Sequence, residues 1–172
     1  ATEEYFLLIS AFKIIKGDSK QPRINAYTTS ARDTVAFTQR FPFEFTQGQK
    51  DAVNDIFADM TSGIVMNRLL QGDVGSGKTA VALTAMYVCV SSGYQSVFLA
   101  PTEVLARQNY ELVKRYFPEY GIVFLSGSMT AKEKKEIKDK IKRGEASVVV
   151  GTHAILESNV EFHCLNLCVC DE

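Results

Sequence analysis

The eight residues 72–79 constrain the possible folds of this chain more than any other segment. They read Gly72-Asp73-Val74-Gly75-Ser76-Gly77-Lys78-Thr79, the pattern G-x-x-x-x-G-K-T, after a short apolar run and before a helix-forming one. In that setting the glycines let backbone N–H groups curl around phosphate groups, and the next helix presents its positive end. We therefore expect bound nucleotide phosphates; a glycine-rich turn that binds nothing is the alternative.

The loop and the last two residues of the chain together predict phosphate chemistry. Lys78 is expected to reach the β- and γ-phosphates, and the Thr79 hydroxyl to ligate Mg²⁺. Residues 165–172 indicate a buried strand that ends in Asp171-Glu172, at the crevice where ligands bind in parallel sheets. Asp171 would hold Mg²⁺ through water and Glu172 would deprotonate the attacking water, unless the two acids merely begin a surface loop.

The adjacent acids also favour one class of nucleotide enzyme over others. A GTPase would show Asp-x-x-Gly here and Asn-Lys-x-Asp later, and the sequence has neither. A hydrolase with a glutamate base is favoured over a small-molecule kinase.

Short apolar strands alternate with helices along most of the chain. The predicted strands are 68–71, 97–100, 122–125, 148–150 and 165–170, and the predicted helices are 78–91, 103–117, 130–143 and one after the capping box at Thr46. This alternation predicts an α/β fold, a doubly wound parallel sheet with helices on both faces. A helix is also expected over residues 3–16, residues 31–40 are ambiguous, and a domain boundary is expected near Phe41-Pro42.

Composition excludes several classes of protein. The chain has 172 residues, 46% of them hydrophobic and 23% charged, with a net charge of −1, as in ordinary globular domains. No stretch has the 18 apolar residues of a membrane span, no secretory signal is recognisable, and the four cysteines do not form a disulfide framework, so a cytoplasmic protein is expected. The first residue is Ala1, which suggests a piece of a longer protein.

Six motifs in a fixed order resemble the first, RecA-like motor lobe of superfamily 2 DNA helicases. They are Phe43–Gln49, Gly72–Thr79, Ala100–Gln108, Ser126–Ser128, Val150–Ala154 and Asp171-Glu172. The resemblance covers about residues 41–172 and is greatest to the branch that remodels stalled replication forks and Holliday junctions. Residues 1–40 resemble the helical connector that leads out of that branch's fork-binding wedge domain.

Two alternatives to a fork-remodelling helicase stay open. The transcription-repair coupling translocase has a sister motor, which typically carries a bulky aromatic residue, Glu and Arg where this chain has Ser76, Ala80 and Ala154. A stand-alone P-loop module that binds nucleotide as a switch is the second alternative.

The resemblance implies ATP and Mg²⁺ as cofactors and assigns roles to residues. Gln49 would read the adenine edge, although it could instead only close the capping box, and Phe43 would pack beside the base. The phosphates would lie on Gly72, Asp73, Val74, Gly75, Ser76, Gly77, Lys78 and Thr79. DNA backbone contacts are implied for Pro101, Thr102, Gln108, Ser126, Gly127, Ser128, Thr152 and His153, through hydroxyls and helix N-terminal N–H groups; the alternative is that Thr102 only caps a helix and the serines form a plain turn.

The resemblance also implies that the motor is incomplete here. In this fold the strand after Asp171-Glu172 inserts beside the phosphate-loop strand, and a second lobe supplies an arginine worth 10³–10⁵ in rate in related sites. We therefore expect weak nucleotide binding and negligible ATPase from residues 1–172 alone. The implied partners are branched DNA and the remaining lobe and wedge domain of the same protein, with no membrane.

Two further patterns have ordinary explanations. Residues 132–143 carry seven basic and three acidic side chains, which we interpret as a solvated helix face. Cys168 and Cys170 are predicted to be small hydrophobes in a buried strand rather than zinc ligands, because their spacing lacks C-x-x-C.

Overall fold

The structure is a computed structural model that describes Pro22 and residues 25–171. Its helices are α1 (Ala31–Thr38), α2 (Gln47–Thr61), α3 (Lys78–Ser91), α4 (Glu103–Tyr116) and α5 (Ala131–Lys142), and its strands are β1 (Gln95–Leu99), β2 (Ile122–Leu125), β3 (Val148–Gly151) and β4 (Leu165–Cys170). A 3₁₀ helix spans His153–Leu156. The helix predicted over residues 3–16 and the base predicted at Glu172 lie outside the described residues.

All four strands belong to one parallel sheet in the order β2-β3-β1-β4. Helix α4 connects β1 to β2, helix α5 connects β2 to β3, and a segment with the 3₁₀ helix connects β3 to β4. Because all the pairings are parallel, the carboxyl ends of the strands meet at one edge. The predicted α/β architecture is confirmed. Within the described residues, no helix is long and apolar enough to cross a lipid bilayer.

Alternate residues of the buried strands pack against helices on opposite faces of the sheet. On one face, Phe98, Val150 and Leu167 join a core with α3 and the end of α4. On the other, Val97, Leu99 and Val149 pack with Ile141 of α5 and Ile155 of the 3₁₀ helix. Strands buried on both faces explain why the sequence shows continuous apolar runs rather than alternation.

The ambiguous segment 31–40 forms α1, which begins at the N-cap Ser30. Its Phe37 is buried and stacks on Tyr87 of α3 at 4.4 Å between ring centroids. The following Arg40 donates from Nη1 to the Tyr116 carbonyl oxygen at 3.0 Å. Residues before Phe41 therefore contribute to the core of the sheet; the domain boundary itself stays a prediction.

The strand predicted at residues 68–71 is wrong. The chain is irregular there, because a strand needs a hydrogen-bonded neighbour and none of the described strands pairs with this segment. Arg68 instead bonds the α2 carboxylates of Asp59, at 2.7 Å, and Asp55, at 3.2 Å. The adjacent Leu69 is 80% exposed.

The prediction that Cys168 and Cys170 are buried is also wrong. Strand β4 lies at the edge of the described sheet, and its Leu167 packs on the α3 face. The two cysteines point to the opposite face, where both are exposed with their sulfur atoms 4.0 Å apart. In the part of the chain that the structure describes, no three His, Cys, Asp or Glu side chains converge as a metal site.

The basic helix α5 has the solvated face predicted for it. Ile141 is buried, whereas four of the basic side chains pair with carboxylates: Lys138 with Glu157, Lys140 with Glu136, Lys142 with Glu161 and Arg143 with Glu145. Most of the local positive charge is therefore compensated within the chain.

The buried side chain of Gln95 fastens the start of β1 to two neighbouring segments. Its Nε2 donates to the carbonyl oxygens of Ile141, at 2.9 Å, and Ala146, at 2.7 Å, and its Oε1 accepts from the Cys164 N–H at 2.9 Å. A single buried amide thus bonds three backbone groups, of which the Ile141 carbonyl oxygen also accepts from the Gly144 N–H at 3.1 Å.

Replacing Gln95 with leucine should destabilise the fold strongly. Gln95→Leu keeps the volume but leaves the Ala146 carbonyl group and the Cys164 N–H without partners, each worth about 1–3 kcal/mol, so a loss of about 2 kcal/mol or more is expected. Urea unfolding of the 172-residue chain measures it. Gln47→Leu, at an exposed position of α2, is the matched control, and equal losses in both variants would contradict the role of the buried amide.

The cysteine pair should give the chain one reactive thiol near neutral pH. The hydrogen bond from Cys168 lowers the pKa of Cys170 to about 7, so its thiolate fraction, and its rate of alkylation by iodoacetamide, should rise through pH 7 and level off above about pH 8. Cys168→Ala removes the donor and should slow alkylation at pH 7 several-fold. A rate that rises only above about pH 8.5 in the unmodified chain would contradict the assignment.

Candidate nucleotide site and nucleic-acid interface

The loop 72–77 wraps around the first turn of α3 at the edge where the strands end. Gly75 and Gly77 have φ of 79° and 80°, a left-handed conformation that side chains rarely adopt. Gly77 is the N-cap of α3 and gives no side-chain cap, so the first N–H groups of the helix are left for an anion. The loop therefore leaves N–H groups free at the amino end of α3, and phosphate binding there stays a prediction.

The ammonium group of Lys78 lies over this loop. Its Nζ donates to the carbonyl oxygens of Gly72, at 2.7 Å, and Asp73, at 2.9 Å. Thr79 follows on the first turn of α3, half-buried, and Val74 at the tip is 97% exposed. The structure thus brings the predicted phosphate-binding residues together around one amine.

The side-chain amide of Gln49 makes two hydrogen bonds, one within α2 and one to the loop. Its Oε1 accepts from the Thr46 N–H at 2.9 Å and completes the capping box of α2, as predicted. Its Nε2 donates to the Ser76 carbonyl oxygen at 2.7 Å and ties α2 to the loop. One N–H of the amide and one lone pair are left over from these bonds, which is what the adenine edge needs; recognition of the base stays a prediction.

Phe43 lies beside a cavity of about 810 Å³ between α1 and α2. The ring is 46% exposed, and the cavity wall is formed largely by aromatic and aliphatic side chains, among them Val35, Phe41, Phe45, Val53 and Phe57. Lys50 lines the cavity but its neighbour Gln49 does not. The two predicted base-binding residues are therefore close in sequence but do not share this cavity.

Asp171 is held at the end of β4 by contacts on both sides. Its N–H donates to the Leu99 carbonyl oxygen at 2.9 Å, and its Oδ2 accepts from Asn109 Nδ2 at 3.1 Å. Asn109 lies on the buried face of α4 with Ala106 and Val113. The sequence analysis missed it, although an amide at a buried helical position is itself a signal, because such a group needs a polar partner.

The predicted DNA-binding residues follow three neighbouring strands. Pro101 and Thr102 come after β1, residues 126–128 after β2, and Thr152 and His153 after β3, with Gln108 exposed on α4. The sheet order places all three strand ends on the edge that also carries the phosphate loop and Asp171. Most of the set is thus gathered at one edge, but Ser126 and Thr152 are buried there, and contact with DNA stays a prediction.

Several of these residues already have partners within the chain. Thr102 caps α4 by accepting from the Leu105 N–H at 3.3 Å. Thr152 is buried and its N–H donates to the Leu125 carbonyl oxygen at 3.2 Å, whereas His153 is exposed. Thr102 does cap α4, and the cap leaves the other lone pair of its hydroxyl at the surface; contact of Thr102 with DNA stays a prediction.

A polar network that the sequence analysis missed joins α4 to the turn after β2. Ser128 Oγ donates to Glu103 Oε2 at 2.5 Å, and Arg107 donates to Glu103 Oε1 from Nε at 3.2 Å and from Nη2 at 2.8 Å. The Ser126 and Ser128 hydroxyls are 3.0 Å apart. The hydrogen bond from Ser128, followed by that from Arg107, holds the pKa of Glu103 below its ordinary value.

Comparison with known proteins agrees with this geometry. The family model of the DEAD/DEAH box helicase matches residues 46–172. A solved structure of RecG bound to a three-way DNA junction superposes with a TM-score of 0.83 at 40% identity, over 100% of this chain and 24% of that one. The DEAD-box helicase Mss116, at 19% identity, a TM-score of 0.66 and coverage of 90% of this chain and 35% of its own, shows the same RecA-like fold.

Curated relatives give the same result. The chain is 39% identical to the ATP-dependent DNA helicase RecG of Streptococcus pneumoniae serotype 4, over 99% of its own length and 26% of the relative's. It is 38% identical to RecG of Bacillus subtilis strain 168, over 99% of its length and 25% of that protein. The chain thus spans about a quarter of the relatives that it matches. Because the family model covers well over half of its residues, the chain belongs to the DEAD/DEAH box helicase family.

Proposed function

We propose that this chain is the ATP-binding part of the first motor lobe of an ATP-dependent DNA helicase that unwinds or remodels branched DNA. The observation that carries the proposal is the shared edge of the sheet: Asp171 and three strand-end segments end there, and α3, which packs on β1 and β4 and precedes β1, directs its loop toward the same edge. Ligands of open α/β sheets bind at this edge. At this edge the same β-strands could contact both a bound nucleotide and a bound nucleic acid.

The described residues fit ATP. Two left-handed glycines, the uncapped amino end of α3 and the amine of Lys78 together form an anion site, and Lys78 would exchange the carbonyl oxygens of Gly72 and Asp73 for phosphate oxygens. Gln49, already anchored to the loop at Ser76, would recognise the adenine edge. The exposed ring of Phe43 would pack beside the base.

A divalent cation, which the helicase family implies together with ATP, would be held by Thr79 and, through water, by Asp171. When bound it would neutralise charge on the phosphates. Asn109 would keep the Asp171 carboxylate oriented, because its amide donates to one of the two oxygens. Glu172, outside the described residues, would take the proton of the attacking water.

DNA would lie across the ends of β1, β2 and β3. The Ser128 hydroxyl, the N–H groups at the start of α4 and the exposed His153 can hold backbone phosphates without reading sequence, whereas Ser126 is buried and would act through Ser128. This explains how a chain of net charge −1 could bind a polyanion. Selection of branched DNA would come from other parts of the protein, a wedge-like domain and a second lobe, and similarity to a RecG that was solved on a three-way junction supports that substrate.

Replacing Lys78 should abolish ATP turnover by the full-length protein. Lys78→Ala removes the only side-chain amine over the described phosphate loop, and we expect at least about a hundredfold lower DNA-stimulated ATP hydrolysis, with loss of fork unwinding. A coupled phosphate-release assay measures it. Lys132→Ala, at an exposed position of α5, is the control for loss of a lysine. Unchanged turnover in Lys78→Ala would contradict the nucleotide site.

Replacing Asn109 should weaken the response to the cation more than the binding of nucleotide. Asn109→Ala frees the Asp171 carboxylate from its described side-chain donor, and loss of such an outer contact costs roughly 10–100-fold in metal affinity or activity. A magnesium titration of ATP hydrolysis by the full-length protein should therefore show a higher half-saturating concentration. Asn67→Ala, at an exposed site, is the control. Identical magnesium curves for Asn109→Ala and the unmodified protein would refute the positioning role.

A further inference from the structure

We propose that Glu103 stands in for a DNA phosphate: its carboxylate occupies the Ser128 and Arg107 donors until DNA displaces it. The residues concerned, Glu103, Arg107, Ser126 and Ser128, are here named the Glu103 cluster. The inference rests on the proposed function, because it places a DNA phosphate at the turn after β2. It adds Arg107 as a phosphate contact and Glu103 as the residue that controls its availability.

The donors of the Glu103 cluster converge on one carboxylate. Each serine hydroxyl has a single proton, and the Ser128 proton is donated to Glu103 Oε2. Ser126, fully buried, shares a 3.0 Å contact with the Ser128 oxygen, so its proton completes a chain that ends at Glu103. The hydroxyls predicted to hold DNA are therefore directed at an internal anion.

Arg107 is oriented in the same way. Two of its N–H groups bond Glu103 Oε1. Its guanidinium lies 4.7 Å from the centre of the Phe124 ring, and this contact orients the guanidinium plane. A guanidinium forms the same paired bonds with a phosphate as with a carboxylate. Exchange of Glu103 for a phosphate would thus require little movement of Arg107.

The surroundings of Glu103 favour its replacement by a phosphate over a permanent ion pair with Arg107. Arg107 is largely exposed and the pair spans positions i and i+4 of one helix, an arrangement that contributes little stability in water. Lys134 donates to the Gly127 carbonyl oxygen at 2.7 Å, so a second cation stands beside the same turn; it forms no salt bridge among the described residues, although it interacts electrostatically with Glu157. An incoming phosphate would meet both cations, whereas Glu103 reaches only one.

The test is DNA binding by the full-length protein carrying Glu103→Gln. The amide keeps the size of the side chain but loses the charge that holds Arg107. Fluorescence anisotropy with a single-stranded oligonucleotide should show roughly two- to fivefold tighter binding, the range for freeing one exposed ion pair. Because DNA displaces Glu103 in the unmodified protein as well, the slope of log affinity against log salt should stay the same in Glu103→Gln, whereas Arg107→Gln should make it shallower by about 0.7.

Two controls separate this mechanism from a general effect of charge. Glu111→Gln removes the same charge from the same helix at a site paired only with Lys114 in the described chain, and it should change the affinity less than twofold. In an Arg107→Gln background, Glu103→Gln should no longer tighten DNA binding. The DNA concentration that half-activates ATP hydrolysis should fall in Glu103→Gln in parallel with the dissociation constant.

Each other result overturns the inference in a distinct way. Weaker binding by Glu103→Gln would show that the carboxylate positions the turn for DNA rather than competing with it. Tighter binding that persists without Arg107, or that Glu111→Gln reproduces, would show a long-range charge effect. An unmodified protein that hydrolyses ATP but binds no DNA would refute the proposed function itself, and with it this inference.

Discussion

The backbone hydrogen bonds of β1 determine where everything else in this molecule can lie. This strand pairs in parallel with β3 on one side and β4 on the other, so the register of both neighbours is set from the centre. Because all these pairings are parallel, each strand ends at the same edge. The residues that follow the strands, among them Asp171, are therefore carried to one edge by main-chain pairing, whereas the loop 72–77 follows no described strand and is positioned through α3 and the side chain of Gln49.

Much of this fold could be read from the sequence because its signals are local. The capping box at Thr46 and the apolar runs of β2 and β4 mark element ends within a residue or two. The glycine loop implies its own conformation, since left-handed residues at Gly75 and Gly77 need no information from elsewhere in the chain. The order of the helicase motifs in the sequence then predicts that these segments lie along one edge of the sheet.

What the sequence could not predict depends on partners distant in the chain. Residues 68–71 have the composition of a strand, but a strand exists only beside a neighbour, and the described sheet provides none. The exposure of Cys168 and Cys170 follows from the position of β4 at the edge, which local composition does not encode. The contact between Asn109 and Asp171 spans 62 positions, and the bond between Ser128 and Glu103 spans 25. Such pairs appear only once the topology is known.

The two bonds of Gln49 make the start of α2 and the shape of the phosphate loop mutually dependent. The same amide closes the helix cap at Thr46 and anchors the loop carbonyl at Ser76. If the loop moved away, the first turn of α2 would lose its cap and fray. If that turn frayed first, the loop would lose the hydrogen bond that anchors it. On the opposite side, Arg68 pins the segment that enters the loop to the acidic face of the same helix. Helix α2 is thus clamped to both ends of the loop, and the two would shift as one body when the contents of the site change.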